Sequence, residues 1–207
     1  MSQFFQIHPE NPQLRLIHQT VDMLHKGAVI VYPTDSAYAL GCHLGDKKAL
    51  DRIRRIREVS SRHNFTLMCR DLSEISTYAK LANNSLYRSL NAHTPGPYTF
   101  ILKATSEVPR RMMHPKKRTI GIRVPSNPIA HVLLEEYREP IMSTTLILPG
   151  DSMPLTDPYD IRELLEHQVD LVIDGGYCGL EPTTVVDMTD EIPVVTRRRE
   201  GDPTPFE

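Results

Sequence analysis

The side chains in this sequence that could do chemistry are hydroxyls and guanidinium groups, and they stand where apolar runs end. Thr34 follows the run Ala28–Tyr32 through Pro33 and opens a Thr34-Asp35-Ser36 cluster of small oxygen-bearing side chains. Thr99 follows Pro-Gly-Pro-Tyr, Thr119 and Arg123 bound Thr-Ile-Gly-Ile-Arg, and Ser143, Thr144 and Thr145 are consecutive. Thr183 and Thr184 follow Pro182, and Arg197, Arg198 and Arg199 come late in the chain. A Ser-His-Asp order, a GxxxxGK[ST] loop and a GxGxxG turn are all missing. Hydroxyls and planar guanidinium forks without an evident general base suit a site that binds phosphates and a carboxylate. Catalysis in such a site comes from positioning and charge neutralisation. Taken singly, each hydroxyl reads first as a turn or cap residue, and Thr34 with Asp35 as the cap of the next segment.

Charge supports an anionic ligand. The net charge of −2 hides an asymmetry: residues 1–123 hold 19 of the 24 Lys and Arg but 9 of the 26 Asp and Glu, whereas residues 124–207 hold 5 and 17. Most of the basic excess lies in two clusters, Lys47 to Arg62 and Arg110 to Arg123. A basic surface or cleft of this kind wants an anionic partner. The nine histidines show no HxxxH spacing and the three cysteines no CxxC, so no dedicated metal site is expected. Reduced thiols, no apolar run of about 18 residues and no secretory leader together predict a cytoplasmic protein without membrane contact.

These groups need rigid elements behind them. Alternating patterns predict helices at about 13–26, 47–57, 71–81, 85–92, 127–137 and 155–167. Strands are expected at 28–32, 65–69, 98–103, 119–124, 141–148, 169–173, 184–186 and 194–195, with residues before the first helix irregular. No linker divides the chain, so residues 1–207 read as a single α/β domain with an open mixed sheet.

The motifs Pro33–Gly41 (PTDSAYALG), 94–102 (TPGPYTFIL), 119–125 (TIGIRVP), 140–150 (PIMSTTLILPG), 182–187 (PTTVVD) and 199–201 (REG) resemble, in this order, those of the YrdC/YciO family. The stretch HNFTLMCRDLSE at 63–74 is most similar to the YciO branch. The resemblance implies a twisted open mixed sheet with flanking helices around a large basic cavity. It implies a threonylcarbamoyl-AMP synthase activity, joining L-threonine, bicarbonate and ATP with its Mg²⁺ and releasing pyrophosphate, on the path to threonylcarbamoyladenosine in tRNA. Matched by position, Thr34, Arg123 and Thr183 would hold threonine, while Arg57, Thr119, Thr145 and a terminal arginine, either Arg197 or Arg199, would hold the nucleotide. The alternative is a non-catalytic protein binding double-stranded RNA or tRNA through Lys47, Lys48, Arg54, Arg55, Arg110, Arg111, Lys116, Lys117 and Arg118.

The sequence departs from the family pattern at three places. Lys-x-Arg reads Arg57-Glu58-Val59, leaving Arg62 or Arg55 to supply the second cation. Ser-Ala-Asn reads Thr145-Leu146-Ile147. A pocket histidine expected near Met68–Cys69 is missing, and His63 lies too early in the chain for that place unless the loop is rearranged.

Overall fold

The computed structural model describes residues 1–60 and 63–207; the expectation for Arg62 falls outside them. In chain order the elements are β1 (Gln3–Gln6), α1 (Leu14–His25), β2 (Ile30–Tyr32), β3 (Ala39–His43), α2 (Lys47–Arg57), β4 (Thr66–Met68), α3 (Leu72–Tyr78), β5 (Ala79–Lys80) and α4 (Asn84–Ala92). There follow β6 (Tyr98–Ala104), a short 3-10 turn Arg110–Met112, β7 (Thr119–Arg123), α5 (Pro128–Tyr137), β8 (Ile141–Thr145), α6 (Pro158–Leu165), β9 (Leu171–Asp174), β10 (Thr184–Asp187) and β11 (Val194–Arg197). A last 3-10 turn is Thr204–Phe206.

The described strands form one open mixed sheet in the order β1-β9-β2-β3-β8-β4-β7-β6-β10-β11, with β5 paired to β6. The pairs β1/β9, β2/β9, β4/β7 and β6/β10 are parallel; the others are antiparallel. Period-two alternation sends successive residues of each strand to opposite faces. Val29, Val31, Leu40, Leu67, Phe100, Leu102, Ile120 and Ile122 enter one core with the inward residues of α2, α3, α4 and α6. Ile30, Tyr32, Met68, Ile141, Leu171 and Ile173 enter a second, smaller core closed by α1 and α5. Helices therefore cover the first face widely and the second only in part.

Local chemistry explains where the helices start and stop. Asp46 caps α2 by accepting from the Ala49 N–H at 3.0 Å, and Leu50, Ile53 and Ile56 point inward while the arginines between them do not. Asn127 caps α5 through the Ile129 and Ala130 N–H groups. Asp71 accepts from the Glu74 N–H, and the Glu74 carboxylate accepts from the Arg70 N–H, a reciprocal box at the start of α3.

Several boundaries differ from expectation. Residues 3–6 form a strand because β9 offers a parallel partner far away in sequence, which no local pattern signals. β3 gives no local strand signal because Ala39 and Gly41 carry little strand propensity; a Cβ on Gly41 would meet Tyr32 and Ile141, which sit on the two flanking strands. α3 ends at Tyr78, where Ala79 and Lys80 pair with β6. α6 begins only at Pro158, behind the Asp157 cap. β8 stops at Thr145, not Leu148: the Leu146 N–H still reaches the Tyr38 carbonyl just before β3, but the Ile147 N–H turns back to the Thr145 carbonyl at 3.1 Å.

Candidate functional site

Where α1 and α5 leave the second face open, the sheet carries small and polar residues, and these floor a cavity of about 530 Å³. They are the positions alternating with the core: Thr119, Gly121 and Arg123 of β7 against buried Ile120 and Ile122, and Thr99 and Ile101 of β6 against Phe100 and Leu102. Thr66 and Met68 of β4, Ser143 and Thr145 of β8, and Val185 and Asp187 of β10 continue the floor. A β7 that buries isoleucines on one side thus exposes Thr, Gly and Arg on the other.

Strand register sorts the lining into two ends. Met68 lies opposite Arg123, Val185 opposite Thr99 and Val185 also opposite Arg197. Phe100 opposite Ile122 brings Thr99 level with Arg123. Arg123, Thr99, Val185 and Arg197 therefore make one row across four strands. Thr119 lies four residues before Arg123, about 13 Å away by strand rise. β8 runs antiparallel to β4, with Ser143 opposite Thr66, so Thr145 also lies towards the Thr119 end.

At the upper row, the Arg123 guanidinium donates to the Asp35 carboxylate, and both side chains are almost wholly buried. Its Nε is buried and unpartnered among the described residues. Arg197 donates through Nε to the Thr183 carbonyl at 3.0 Å and through Nη2 to Thr183 Oγ1 at 3.2 Å. Thr183 and Thr99 share a hydrogen bond at 2.7 Å. Burial lowers the Arg197 pKa, and the charges of Arg199 and Arg123 lower it further; a guanidinium still stays charged.

At the other end, Arg57 crosses from the last turn of α2 to β8. Its Nη1 donates to Thr144 Oγ1 at 2.8 Å and to the Thr145 carbonyl at 2.6 Å, and its Nε is buried without a partner among the described residues. Burial lowers its pKa. His63 lies 3.1 Å from Thr144 Oγ1. Burial first, then the charges of Arg57 and Arg54, push its pKa below the usual value of 6.5, so the ring is neutral at pH 7. Lys117 and His114 come from the loop before β7, where His114 Nδ1 accepts from the Lys116 and Lys117 N–H groups.

The cavity thus gathers Arg57, Arg123, Thr119, Thr145, Thr183 and Arg197. Thr34 is not in its lining: Thr34 Oγ1 donates to the Ala37 carbonyl at 2.6 Å and accepts from the Ser36 and Ala37 N–H groups, which makes it a turn residue. Arg199 is not there either, because its side chain folds back on the Arg198 carbonyl while its N–H donates to Thr184 Oγ1. Of the basic residues expected at RNA, Lys117 alone lines the cavity. Arg54 pairs with Asp51 and lies over the Phe65 ring. Lys47, Lys48, Arg55, Arg110, Arg111, Lys116 and Arg118 are exposed outside it. Arg55 therefore does not supply the missing second cation.

His114, Met112 and Asp187 line the cavity without having been expected there, and His63, admitted only if its loop were rearranged, lines it too. Asp187 was legible as the second residue after Val185 on the same strand face. His63 was not, since its partner Thr144 lies 81 residues away and no local pattern signals the contact. Among the described residues no helix is long and apolar enough to cross a membrane.

Residues 22–199 match the Sua5/YciO/YrdC family, described as telomere recombination. The chain is 60% identical over 206 residues to YciO of Escherichia coli, covering 100% of both. The crystal structure of that protein superposes with a TM-score of 0.95 over 100% of both chains at 59% identity. A threonylcarbamoyl-AMP synthase of Vibrio vulnificus is 27% identical over 161 residues, 77% of this chain and 86% of that protein. The fold is also that of Sua5 from P. abyssi complexed with L-threonine, at a TM-score of 0.87 and 23% identity over 96% of this chain and 58% of that one.

Proposed function

The chain belongs to the Sua5/YciO/YrdC family, and on that premise we propose that it forms an adenylate from L-threonine, bicarbonate and ATP in this cavity. The observation that carries the reading is the cavity itself, which gathers the guanidinium groups of Arg57 and Arg123 at opposite ends with the hydroxyls of Thr99, Thr119, Thr145 and Thr183 beside them. Guanidinium groups lining a partly enclosed cavity call for anionic oxygens. In this reading Arg123, with the Thr183 and Thr99 hydroxyls beside it, takes the amino-acid carboxylate. Arg57, Thr119, Thr145 and Lys117 take the phosphates, while Arg197 stands at the Arg123 end, bonded to Thr183. The Mg²⁺ arrives with the ATP phosphates as part of the substrate.

The reaction balances without a protein nucleophile. The threonine nitrogen bonds to the bicarbonate carbon and water leaves. A carbamate oxygen then attacks the α-phosphorus, and the bond to the β-phosphate oxygen breaks, giving threonylcarbamoyl-AMP, pyrophosphate and water. The protein positions the three reactants and neutralises the charge developing on phosphorus. Ile147 lines the wall where the family pattern has an amide, so the base is gripped less firmly and turnover is slow. The test is pyrophosphate release with each substrate omitted in turn. Release that needs all three and vanishes in Arg123→Ala supports the reading; ATP turnover without need of threonine and bicarbonate, or none at all, overturns it.

One contact favours a second reading, RNA binding on the outer surface. Arg111 Nη2 donates to the Gly45 carbonyl at 3.2 Å, which sets Arg110 and Arg111 beside the start of α2 with its Lys47 and Lys48. Duplex binding there would weaken steeply with salt, as phosphate contacts demand. A shallow salt slope for RNA together with saturable ATP binding would leave the cavity as the functional site.

A further inference from the structure

We infer that Asp35 is a positioning residue for substrate recognition, holding Arg123 with one edge of its guanidinium turned to the cavity. The inference rests on the synthase reading and deepens it. Asp35 and Arg123 are 8% and 7% exposed and form an ion pair. The other carboxylate oxygen of Asp35, Oδ2, accepts from the Ser126 N–H at 3.1 Å and the Ser126 hydroxyl at 3.2 Å. Both oxygens are thus committed, so the carboxylate is neither a free base nor a ligand for the substrate. Arg123 lines the cavity and Asp35 does not, so the carboxylate lies behind the guanidinium.

Three local features make this support rigid. The Thr34 hydroxyl closes the turn that carries Asp35. Ser126 precedes the Asn127 cap of α5, so the carboxylate ties that turn to the start of a helix. Asp35 takes only one nitrogen of the Arg123 guanidinium, Nη2, and the residue still lines the cavity. A free arginine side chain has to lose rotamer freedom on binding a carboxylate, whereas one pinned from behind has lost it already. Asp35 in this role touches no reactant.

The test is titration of the purified protein with L-threonine and, separately, with ATP, in Asp35→Asn, Asp35→Glu and Ser126→Ala, with thermal melting of each. Asp35→Asn is expected to weaken L-threonine by about tenfold to a hundredfold, the scale of a lost charge-assisted hydrogen bond. ATP affinity should stay within about twofold, because its contacts lie at the far end of the cavity. Asp35→Glu, which restores the charge, should recover most of the loss. Ser126→Ala, at an exposed residue, should weaken threonine by a smaller factor and covers the case in which Asp35→Asn does not fold. Unchanged threonine binding in both Asp35→Asn and Ser126→Ala, or equal loss of both ligands, overturns this inference alone. Failure of the unaltered protein to bind L-threonine overturns the synthase reading and this inference with it.

Discussion

Arg57 and Thr144 are joined across the cavity wall: the guanidinium at the end of α2 donates to the Thr144 hydroxyl at 2.8 Å and continues to the Thr145 carbonyl. The contact fixes the C-terminal end of a surface helix to the end of a central strand. It also holds the guanidinium in the cavity lining, where the proposed reading puts a phosphate.

Replacing Arg57 by Ala is expected to raise the ATP requirement by about tenfold to a hundredfold, as loss of a charged hydrogen bond does. Arg57→Lys should recover only part of it, because a compact ammonium cannot serve Thr144, Thr145 and a phosphate together. Steady-state pyrophosphate release at varied ATP measures both; equal rates for Lys and wild type would refute the fork geometry.

Tyr32 is fully buried and donates to Ser143 Oγ at 2.8 Å, while Ser143 donates on to the Leu40 carbonyl. Tyr32→Phe should therefore cost about 1 kcal/mol of stability, the usual value of one neutral buried hydrogen bond. Denaturant unfolding of the two proteins decides it.

A Cβ on Gly41 would lie 2.8 Å from Ile141 Cγ2 and 2.8 Å from Tyr32 Cε1, both on fully buried side chains. Gly41→Ala should destabilise by about 1–3 kcal/mol, as overpacking does. A midpoint unchanged from wild type would mean that β3 does not run this close to Tyr32.

His63 sets a pH dependence of stability. Its pKa is lowered in the fold, by burial and then by Arg57 and Arg54, so between that value and 6.5 the unfolded chain binds more protons than the folded one. Stability from the neutral ring is complete above pH 6.5 and declines as pH falls towards the folded value. His63→Gln should melt with a smaller difference between pH 7 and pH 5 than wild type. An equal difference would place the titrating group elsewhere.

Much of the floor of this site could be read from the chain, because period-two alternation in Thr-Ile-Gly-Ile-Arg fixes which residues leave the core once Ile120 and Ile122 enter it. Arg123 and Thr119 were recognisable as the polar ends of that run and by the family resemblance. The choice between Arg197 and Arg199 was not, since β11 pairs with β10 through an irregular register between Val185 and Val186. Thr34 shows what a motif leaves out: this hydroxyl at a strand end lies outside the cavity lining, with its oxygen bonded within its own turn. The Asp35–Arg123 pair spans 88 residues and His63–Thr144 spans 81, so each depends on sheet order rather than on any local pattern. β1 was lost to sequence reading in the same way, through a partner strand near the other end of the chain.

The central claim is that one cavity holds a carboxylate at Arg123 and phosphates at Arg57. A crystal structure with L-threonine and a non-hydrolysable ATP analogue tests it directly. The threonine carboxylate is expected on the Arg123 guanidinium with Asp35 still behind it, and phosphate oxygens within hydrogen-bond distance of Arg57 and Thr119. Ligands bound outside the cavity, or a nucleotide inside it with neither guanidinium meeting an anionic oxygen, would contradict it.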